Sequence, residues 1–260
     1  MRASWALTPP YFLVFAFLCG VVGFRIGWRL GRLALPLVQG AMGWLAFLLA
    51  SKIVGAAWAA ASVGAWVVGT TAASVYVFLG NPRETDERVF HAAPYRALML
   101  AWLETGRGPE TRPFETAGKH LREAIGYTAA ALATANYASL AMGAMLLNEM
   151  NAYVATLLRS AERTGRVLLL AWNVWSIARV SAYVLIGAAA SAPLLRLTGF
   201  QVDVQAARNL AAYGAIGLVV DLVLKLALSR PCGRLIATAI DLDAAKANRP
   251  AERPLALHLD

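Results

Sequence analysis

The chain has 260 residues, of which 59% are hydrophobic and only 15% are charged. A soluble domain of this size would carry about 25% charged residues. The composition therefore excludes an ordinary soluble enzyme or binding domain and indicates that most of the chain lies in a lipid bilayer. The formal net charge of +9 is explained most simply by arginines at the cytoplasmic ends of membrane helices, where they meet anionic lipid headgroups.

Long apolar runs, rich in alanine and glycine, predict the membrane segments. A helix needs about 20 apolar residues to cross the roughly 30 Å hydrocarbon core. No run has the alternating pattern of a membrane β-strand. The sequence therefore predicts an all-α, polytopic helical membrane protein with five to six membrane segments and short cytoplasmic amphipathic helices. The runs are Tyr11–Phe24, Leu33–Ser51, Ile53–Leu79, Tyr127–Leu147, Val167–Leu195 and Leu210–Ser229.

Polar stretches between the runs divide the chain into four regions. Residues 1–80 form an N-terminal membrane region with three segments, and residues 81–123 form a polar cytoplasmic segment. Residues 124–229 form a second membrane region, and residues 230–260 form a cytoplasmic tail. With the basic clusters in the cytoplasm, we expect a multi-pass protein of the cytoplasmic (inner) membrane whose N-terminus lies outside and whose C-terminus lies in the cytoplasm.

The fourth run, Tyr127–Leu147, leaves two topologies open. A full crossing would place Arg159, Arg163 and Arg166 outside, together with the basic tail. A re-entrant or tilted segment with Asn136, Asn148, Glu149 and Asn151 near its polar turn keeps every basic cluster inside. The positive-inside rule slightly favours the re-entrant topology.

Small residues recur at every fourth position in three of the runs. Positions four apart share a helix face, and small faces let membrane helices pack closely where no hydrophobic force drives their association. The pattern predicts three helix-packing ridges, within the chain or between subunits, although alanine-rich sequences produce one or two such ridges by chance. The ridges are Gly23, Gly27 and Gly31; Ala57, Ala61, Ala65, Gly69 and Ala73; and Ala131, Ala135, Ser139 and Gly143.

Two patterns predict contacts at the membrane surface. Arg25, Arg29 and Arg32 follow i, i+4, i+7 spacing and should form one basic stripe that contacts lipid phosphates or an acidic partner. In the polar segment, apolar residues at helical spacing within Tyr95–Leu103 predict a short amphipathic helix in the interface. Trp102 on that helix is then expected to contact lipid or a partner.

Three charged residues lie inside predicted membrane helices. Arg179 is near the middle of the fifth run, and Asp221 and Lys225 lie in the sixth. A central Arg or Asp costs roughly 2.5–3.5 kcal/mol on insertion scales, so each needs a partner. In antiparallel helices, the depths of Arg179 and Asp221 would differ by about 6 Å, which predicts an ion pair between them. Pairing of Asp221 with Lys225 on the same helix is the alternative.

No constellation for catalysis or cofactor binding occurs in the sequence. Neither Glu87 with His91 nor His120 with Glu123 gathers the three or four ligands of a metal site. Walker A loops, dinucleotide fingerprints and nucleophile elbows are missing, and Lys225 lies too near the end of its run to carry retinal. We therefore predict a non-enzymatic protein without a cofactor or metal.

Two functions are compatible with these features. The first is an integral subunit that packs into a larger cytoplasmic-membrane assembly, such as a secretion or conjugation apparatus. The second is a small transporter or channel with a polar path at Arg179, Asp221 and Asn173. Expected partners are the bilayer and other membrane subunits or further copies of the chain. Nucleic acid is not expected, because the basic residues are spread over several loops, and no small-molecule substrate is identified.

Overall fold

The protein is almost entirely helical, in agreement with the predicted fold class. The computed structural model describes residues 8–247, except for the side chains of residues 8–9, 113 and 115–117. This part of the chain forms twelve helices and no β-strand. The helices are α1 Thr8–Leu30, α2 Ala34–Ile53, α3 Ala56–Gly80, α4 Pro82–Arg88, α5 Ala92–Thr105, α6 Pro113–Thr134, α7 Tyr137–Arg159, α8 Thr164–Leu170, α9 Val174–Ala190, α10 Ala192–Leu197, α11 Val204–Ala237 and α12 Leu242–Ala247.

Within residues 8–247, five helical stretches are long and apolar enough to cross a membrane. They correspond to α1, α2, α3, α9 together with α10, and α11. Large apolar side chains such as Leu37, Val68 and Val219 are exposed on their outer faces, as expected where lipid replaces water. The chain is thus a multi-pass helical membrane protein. The spans are Pro10–Leu30, Ala34–Ile53, Ala56–Gly80, Val174–Leu197 and Val204–Ala237.

The arginine-rich ends of these helices meet at one end of the bundle. α1 and α3 run parallel, with Phe24 packed edge-on against Phe78, and α2 returns antiparallel to both. At the end where α1 and α3 finish, Arg159 of α7 donates a hydrogen bond to the Phe78 carbonyl oxygen at 2.7 Å. Arg32 lies over the Phe90 ring at 4.5 Å. We call this the basic end; α9 begins here and α11 finishes here.

The fourth apolar run does not form one helix. Ala135 and Asn136 have φ angles of +48° and +78°, and these left-handed residues end α6 and begin α7. The Trp44 indole N–H donates to the Ala135 carbonyl oxygen at 2.9 Å, which places the turn beside the middle of α2. From there α7 returns to Arg159 at the basic end. α6 and α7 therefore form a helical hairpin, the arrangement that the re-entrant topology predicts, and we call it the re-entrant hairpin. Asn136 lies in its turn, but the prediction that Asn148, Glu149 and Asn151 lie near the turn is wrong, because α7 carries them more than ten residues beyond it.

Two of the predicted ridges are interrupted by turns. Gly27 faces α2, since a Cβ at this position would lie 2.8 Å from the Leu35 Cα. Gly31, however, lies beyond α1 with a φ of +103°. The prediction that Arg32 continues the stripe of Arg25 and Arg29 is wrong for the same reason, because the helix ends before it. The turn at Ala135 likewise divides the third ridge, Ala131, Ala135, Ser139 and Gly143, between α6 and α7.

The second ridge packs within the chain only in its second half. A Cβ at Gly69 would overlap the backbone of α1 at Phe17, and a Cβ at Gly20 of α1 would overlap the backbone of α3. Ala57 and Ala61, at the start of α3, are exposed instead. The closest approach of α1 and α3 thus depends on Gly20 and Gly69.

The predicted lipid contact of Trp102 is wrong. Its side chain is only 1% exposed and packs edge-on against Trp175. The reason is that α11 continues to Ala237, past the predicted end at Ser229, and carries Gly233 over the Trp102 ring. A Cβ at Gly233 would lie 2.9 Å from the ring atom Cζ2 of Trp102. α5 is therefore covered by protein on this face.

Replacing Gly69 by alanine should weaken the bundle. The added methyl group overlaps α1, and overpacking of this kind costs about 1–3 kcal/mol. Gly64→Ala in the same helix is the matched control, because a Cβ there meets nothing within 4 Å and alanine favours the helix by up to about 1 kcal/mol. Thermal unfolding in one detergent measures both variants. Equal melting temperatures would contradict the close contact.

Candidate functional site

A cavity of about 170 Å³ lies among α3, α5, α6, α7, α9 and α11. It extends from Leu98 and Lys119, which are exposed near the basic end, to Val63 and Leu140, which are buried in the largest apolar cluster. The part near the basic end is charged and the inner part is apolar. The charged or titratable lining residues, tyrosines apart, are Glu110, Lys119, His120, Glu123, Glu149, Arg179 and Lys225.

The predicted contact between Arg179 and Asp221 is present. The guanidinium group donates from Nε to Oδ2 at 3.0 Å and from Nη2 to Oδ1 at 2.9 Å. α9 and α11 approach closely enough for this because Gly217 faces Ala182, where a Cβ on the glycine would lie 3.0 Å from the alanine Cβ. A bidentate pair of this kind fixes the geometry of both groups and holds Arg179 at the cavity wall.

Lys225 does not pair with Asp221 on its own helix. Its Nζ lies 3.4 Å from Oε2 of Glu110, and the same oxygen accepts a hydrogen bond from the Trp175 indole N–H at 2.7 Å. Lys225 is only 2% exposed, so this carboxylate is the counter-charge that its burial requires. Sequence reasoning missed Glu110, and the only signal for it was that Lys225 needed an acidic partner from elsewhere.

The loop before α6 carries Glu110 into the bundle. Its turn is closed by Thr111, whose Oγ1 accepts from the Gly108 amide at 3.1 Å. Gly108 also packs against Trp102, because a Cβ there would lie 2.8 Å from the tryptophan Cβ. The loop is thereby held against α5 with Glu110 buried between Trp175 and Lys225.

α6 contributes a second carboxylate and its partners. His120 Nδ1 lies 3.1 Å from Oε2 of Glu123, and Lys119 Nζ lies 3.6 Å from Oε1 of the same residue. Burial alone would raise the pKa of Glu123, but the hydrogen bond with His120 and the neighbouring positive charges outweigh it. The pKa of Glu123 therefore lies below its ordinary value, and this carboxylate is ionised at neutral pH.

Glu149 of α7 differs from the other acidic groups at the cavity. It is only 9% exposed, and it makes no hydrogen bond or ion pair among residues 8–247. Burial raises its pKa to about 7, an effect that Lys119 reduces and Glu123 increases. Because a buried carboxylate without a counter-charge is costly, Glu149 favours either a proton or a bound cation.

The rotation of α7 is what turns Glu149 toward the cavity. Asn148 and Gln39 of α2 exchange two hydrogen bonds, at 2.7 and 3.3 Å. One turn later, Asn151 donates to Ser74 of α3 at 2.6 Å. These two contacts fix one face of α7 against α2 and α3, and consecutive residues on a helix point about 100° apart. Glu149 consequently faces α6 and the cavity.

Aromatic rings complete the inner part of the cavity. Tyr127 of α6 and Tyr183 of α9 stack with centroids 5.1 Å apart, and Trp66 lies at the apolar end. The Tyr183 hydroxyl is buried and has no hydrogen-bond partner among the described residues. Asn173, which the sequence placed on the polar path, does not line the cavity; its carbonyl oxygen instead accepts from the Ser176 amide at the start of α9.

The donor set of the cavity does not point to a metal. Within residues 8–247, no group of three or more His, Cys, Asp or Glu side chains is arranged to hold a metal ion. The chain matches no family model, no curated protein and no solved structure.

Single replacements of the Arg179–Asp221 pair should destabilise the protein far more than the double replacement. Arg179→Leu or Asp221→Leu alone leaves a buried charge without its partner, which destabilises a protein by about 3–5 kcal/mol. The double variant removes both charges and should recover most of that stability. Unfolding of the three variants in one detergent gives the coupling between the two sites. Simple addition of the two single effects would show that the pair is not coupled.

Proposed function

We propose that the protein is a membrane carrier that moves a small polar or charged solute through the cavity. The observation that carries this proposal is the set of charged side chains collected around one cavity inside a bundle of membrane helices. Charged groups in such helices are expensive and usually mark ion or substrate pathways. A single ion pair would be enough to hold α9 against α11. The cavity is lined by three acidic side chains, three basic side chains and a histidine, which is more than helix packing requires.

The apolar end of the cavity acts as the closed gate in this proposal. Val63, Trp66, Leu140 and Val184 belong to the largest apolar cluster and separate the cavity from the end opposite the basic one. With the basic end in the cytoplasm, as the positive-inside rule favours, the described conformation opens toward the cytoplasm. Alternating access then requires these four side chains to separate while the mouth near Lys119 closes.

The re-entrant hairpin is the element best suited to this movement. Its tip, Ala135 and Asn136, lies beside Trp44 in the middle of α2. α6 lines the cavity with Tyr127 and α7 lines it with Leu140. A shift of the hairpin would therefore change the gate without moving a spanning helix through the bilayer.

Labelling of a cysteine near the gate from each side of the membrane tests the carrier proposal. In a chain with Cys19 and Cys232 replaced by alanine, we expect Val184→Cys to react with a charged, membrane-impermeant thiol reagent in sealed vesicles of either orientation. The matched control is Val219→Cys, because Val219 is exposed on the outer face of α11, where lipid excludes the reagent. Reaction of Val184→Cys from one side only would contradict alternating access.

A second candidate is membership of a larger membrane assembly, such as a secretion or conjugation apparatus. It is supported by Ala57 and Ala61, whose small side chains are exposed at the start of α3 and would admit a close partner helix. This role is compatible with a carrier cavity, but it requires a stable partner or further copies of the chain.

Purification from the native membrane in mild detergent, followed by intact-mass measurement, tests the assembly. A stoichiometric partner or a homo-oligomer that is lost in Ala61→Leu is the expected result, because the larger side chain prevents close helix contact. Ala215→Leu, at an exposed position of α11, is the control and should keep the partner. A partner-free monomer for the unaltered chain would refute this second candidate.

A further inference from the structure

We propose that the cavity binds a small organic cation, consisting of an ammonium group and an apolar body about the size of one benzene ring, with the ammonium at Glu149. This inference names the substrate class of the proposed carrier and rests on that function. It follows from the charge, the size and the lining of the cavity, which are independent properties of the site.

The charges of the cavity leave one carboxylate in excess. Each of the three basic groups already has an acidic partner: Lys225 has Glu110, Arg179 has Asp221, and Lys119 has Glu123. Glu123 also contacts His120. Glu149 makes no ion pair among the described residues, so the described lining together with Asp221 carries one surplus negative charge when Glu149 is ionised and His120 is neutral.

An anionic ligand fits this arrangement poorly. It would have to share Arg179 with Asp221, Lys225 with Glu110 or Lys119 with Glu123. Each arrangement places a second negative charge beside a carboxylate that already balances the basic group, which is unfavourable. A cation at Glu149 breaks none of the three pairs and supplies the charge that this side chain lacks.

The volume and the apolar end limit the rest of the ligand. An apolar cavity of about 150 Å³ accommodates benzene, and the present cavity measures about 170 Å³. Val63, Leu140 and Val184 line its inner part, where an apolar body gains burial. A hydrated inorganic ion would leave this part unfilled, so the ligand should combine one charged group with one small apolar group.

The aromatic side chains favour the same ligand class. Tyr127, Tyr183 and Trp66 line the cavity, and their rings can pack against an aromatic or aliphatic body. The negative faces of such rings also attract ammonium groups. A carboxylate together with several aromatic rings is therefore suited to an organic cation.

Binding of the cation should compete with binding of a proton at Glu149. Burial raises the pKa of this carboxyl to about 7, so the ionised form that attracts an ammonium group is lost as the pH falls below that value. A carrier of this kind would exchange protons for its substrate. The titratable and charged groups around Glu149 are Lys119, His120, Glu123 and Tyr127 of α6, Tyr95 of α5, Glu110 of the loop before α6, Arg179 and Tyr183 of α9, and Asp221 and Lys225 of α11.

Calorimetric titration of the purified full-length chain with three probes tests the inference. Benzylammonium, benzyl alcohol and benzoate share one ring and differ in charge. At pH 8 we expect benzylammonium to bind at least about tenfold more tightly than either of the others, since a charge-assisted contact contributes at least that factor. Its affinity should fall about tenfold at pH 6, because the ionised fraction of Glu149 falls by that factor around a pKa of about 7.

Glu149→Gln keeps the shape of the side chain and removes its charge. Benzylammonium should then bind at least about tenfold more weakly. Its affinity should also no longer differ between pH 8 and pH 6. Glu162→Gln is the matched control, because Glu162 is exposed and lies away from the cavity. The comparison of the three probes on the unaltered chain needs no variant, so it stands even if Glu149→Gln fails to fold.

Three results would overturn the inference: tighter binding of benzoate, equal binding of benzyl alcohol and benzylammonium, or no binding of any probe. Unchanged benzylammonium affinity in a folded Glu149→Gln variant would equally overturn it. None of these results contradicts the carrier proposal, because that proposal is tested by labelling of Val184→Cys from both sides of the membrane. Labelling from one side combined with cation-selective binding would instead leave a cation-binding membrane protein that is not a carrier.

Discussion

The polar face of α7 is the constraint on which the rest of the bundle depends. α7 lies at the centre of the structure, although its sequence is not apolar enough to count among the five spanning helices. In lipid, a side-chain amide without a hydrogen bond is costly. Hydrogen bonds between polar side chains of different helices therefore make the association of membrane helices specific. Gln39 of α2 and Ser74 of α3 accept hydrogen bonds from the side-chain amides of Asn148 and Asn151, so both helices must present these residues at matching depth.

The cavity follows from the same arrangement. α6 and α7 turn back beside Trp44 and do not cross the bundle, so their tip lies among apolar side chains. The charged residues of α6 and of the preceding loop therefore line the part of the cavity nearer the basic end. Gly143 of α7 has no side chain to fill the space, and a Cβ there would still lie 3.7 Å from the Tyr127 ring. The hydrogen bonds that hold α7 thus also set the orientation of Glu149 and the width of the site.

The spanning helices and one ion pair could be predicted from sequence because lipid imposes simple rules. Apolar length defines a crossing, and a charge at mid-helix needs a partner at similar depth, which was sufficient for Arg179 and Asp221. These rules are local or depend only on depth. They required no knowledge of how distant segments fold together.

The rest of the site depends on features that leave no local pattern. The turn at Ala135 and Asn136 contains neither glycine nor proline, although both residues adopt left-handed conformations. α11 continues through Pro231 to Ala237, where proline and the neighbouring arginines suggested a tail. Glu110 reaches Lys225 only because a loop folds back into the bundle, and no spacing in the sequence reports such a long-range contact.

The pairing of Arg179 with Asp221 has a consequence for the order in which the protein is made. The two residues are 42 positions apart, so the arginine leaves the ribosome well before its partner. Inserted alone, α9 would carry an unpaired guanidinium into lipid at a cost of roughly 2.5–3.5 kcal/mol. α9 and α11 are therefore expected to enter the bilayer together as a helical hairpin. A nascent chain that stops before α11 would expose an unmatched arginine in the membrane, the kind of defect by which unfinished membrane proteins can be distinguished from complete ones.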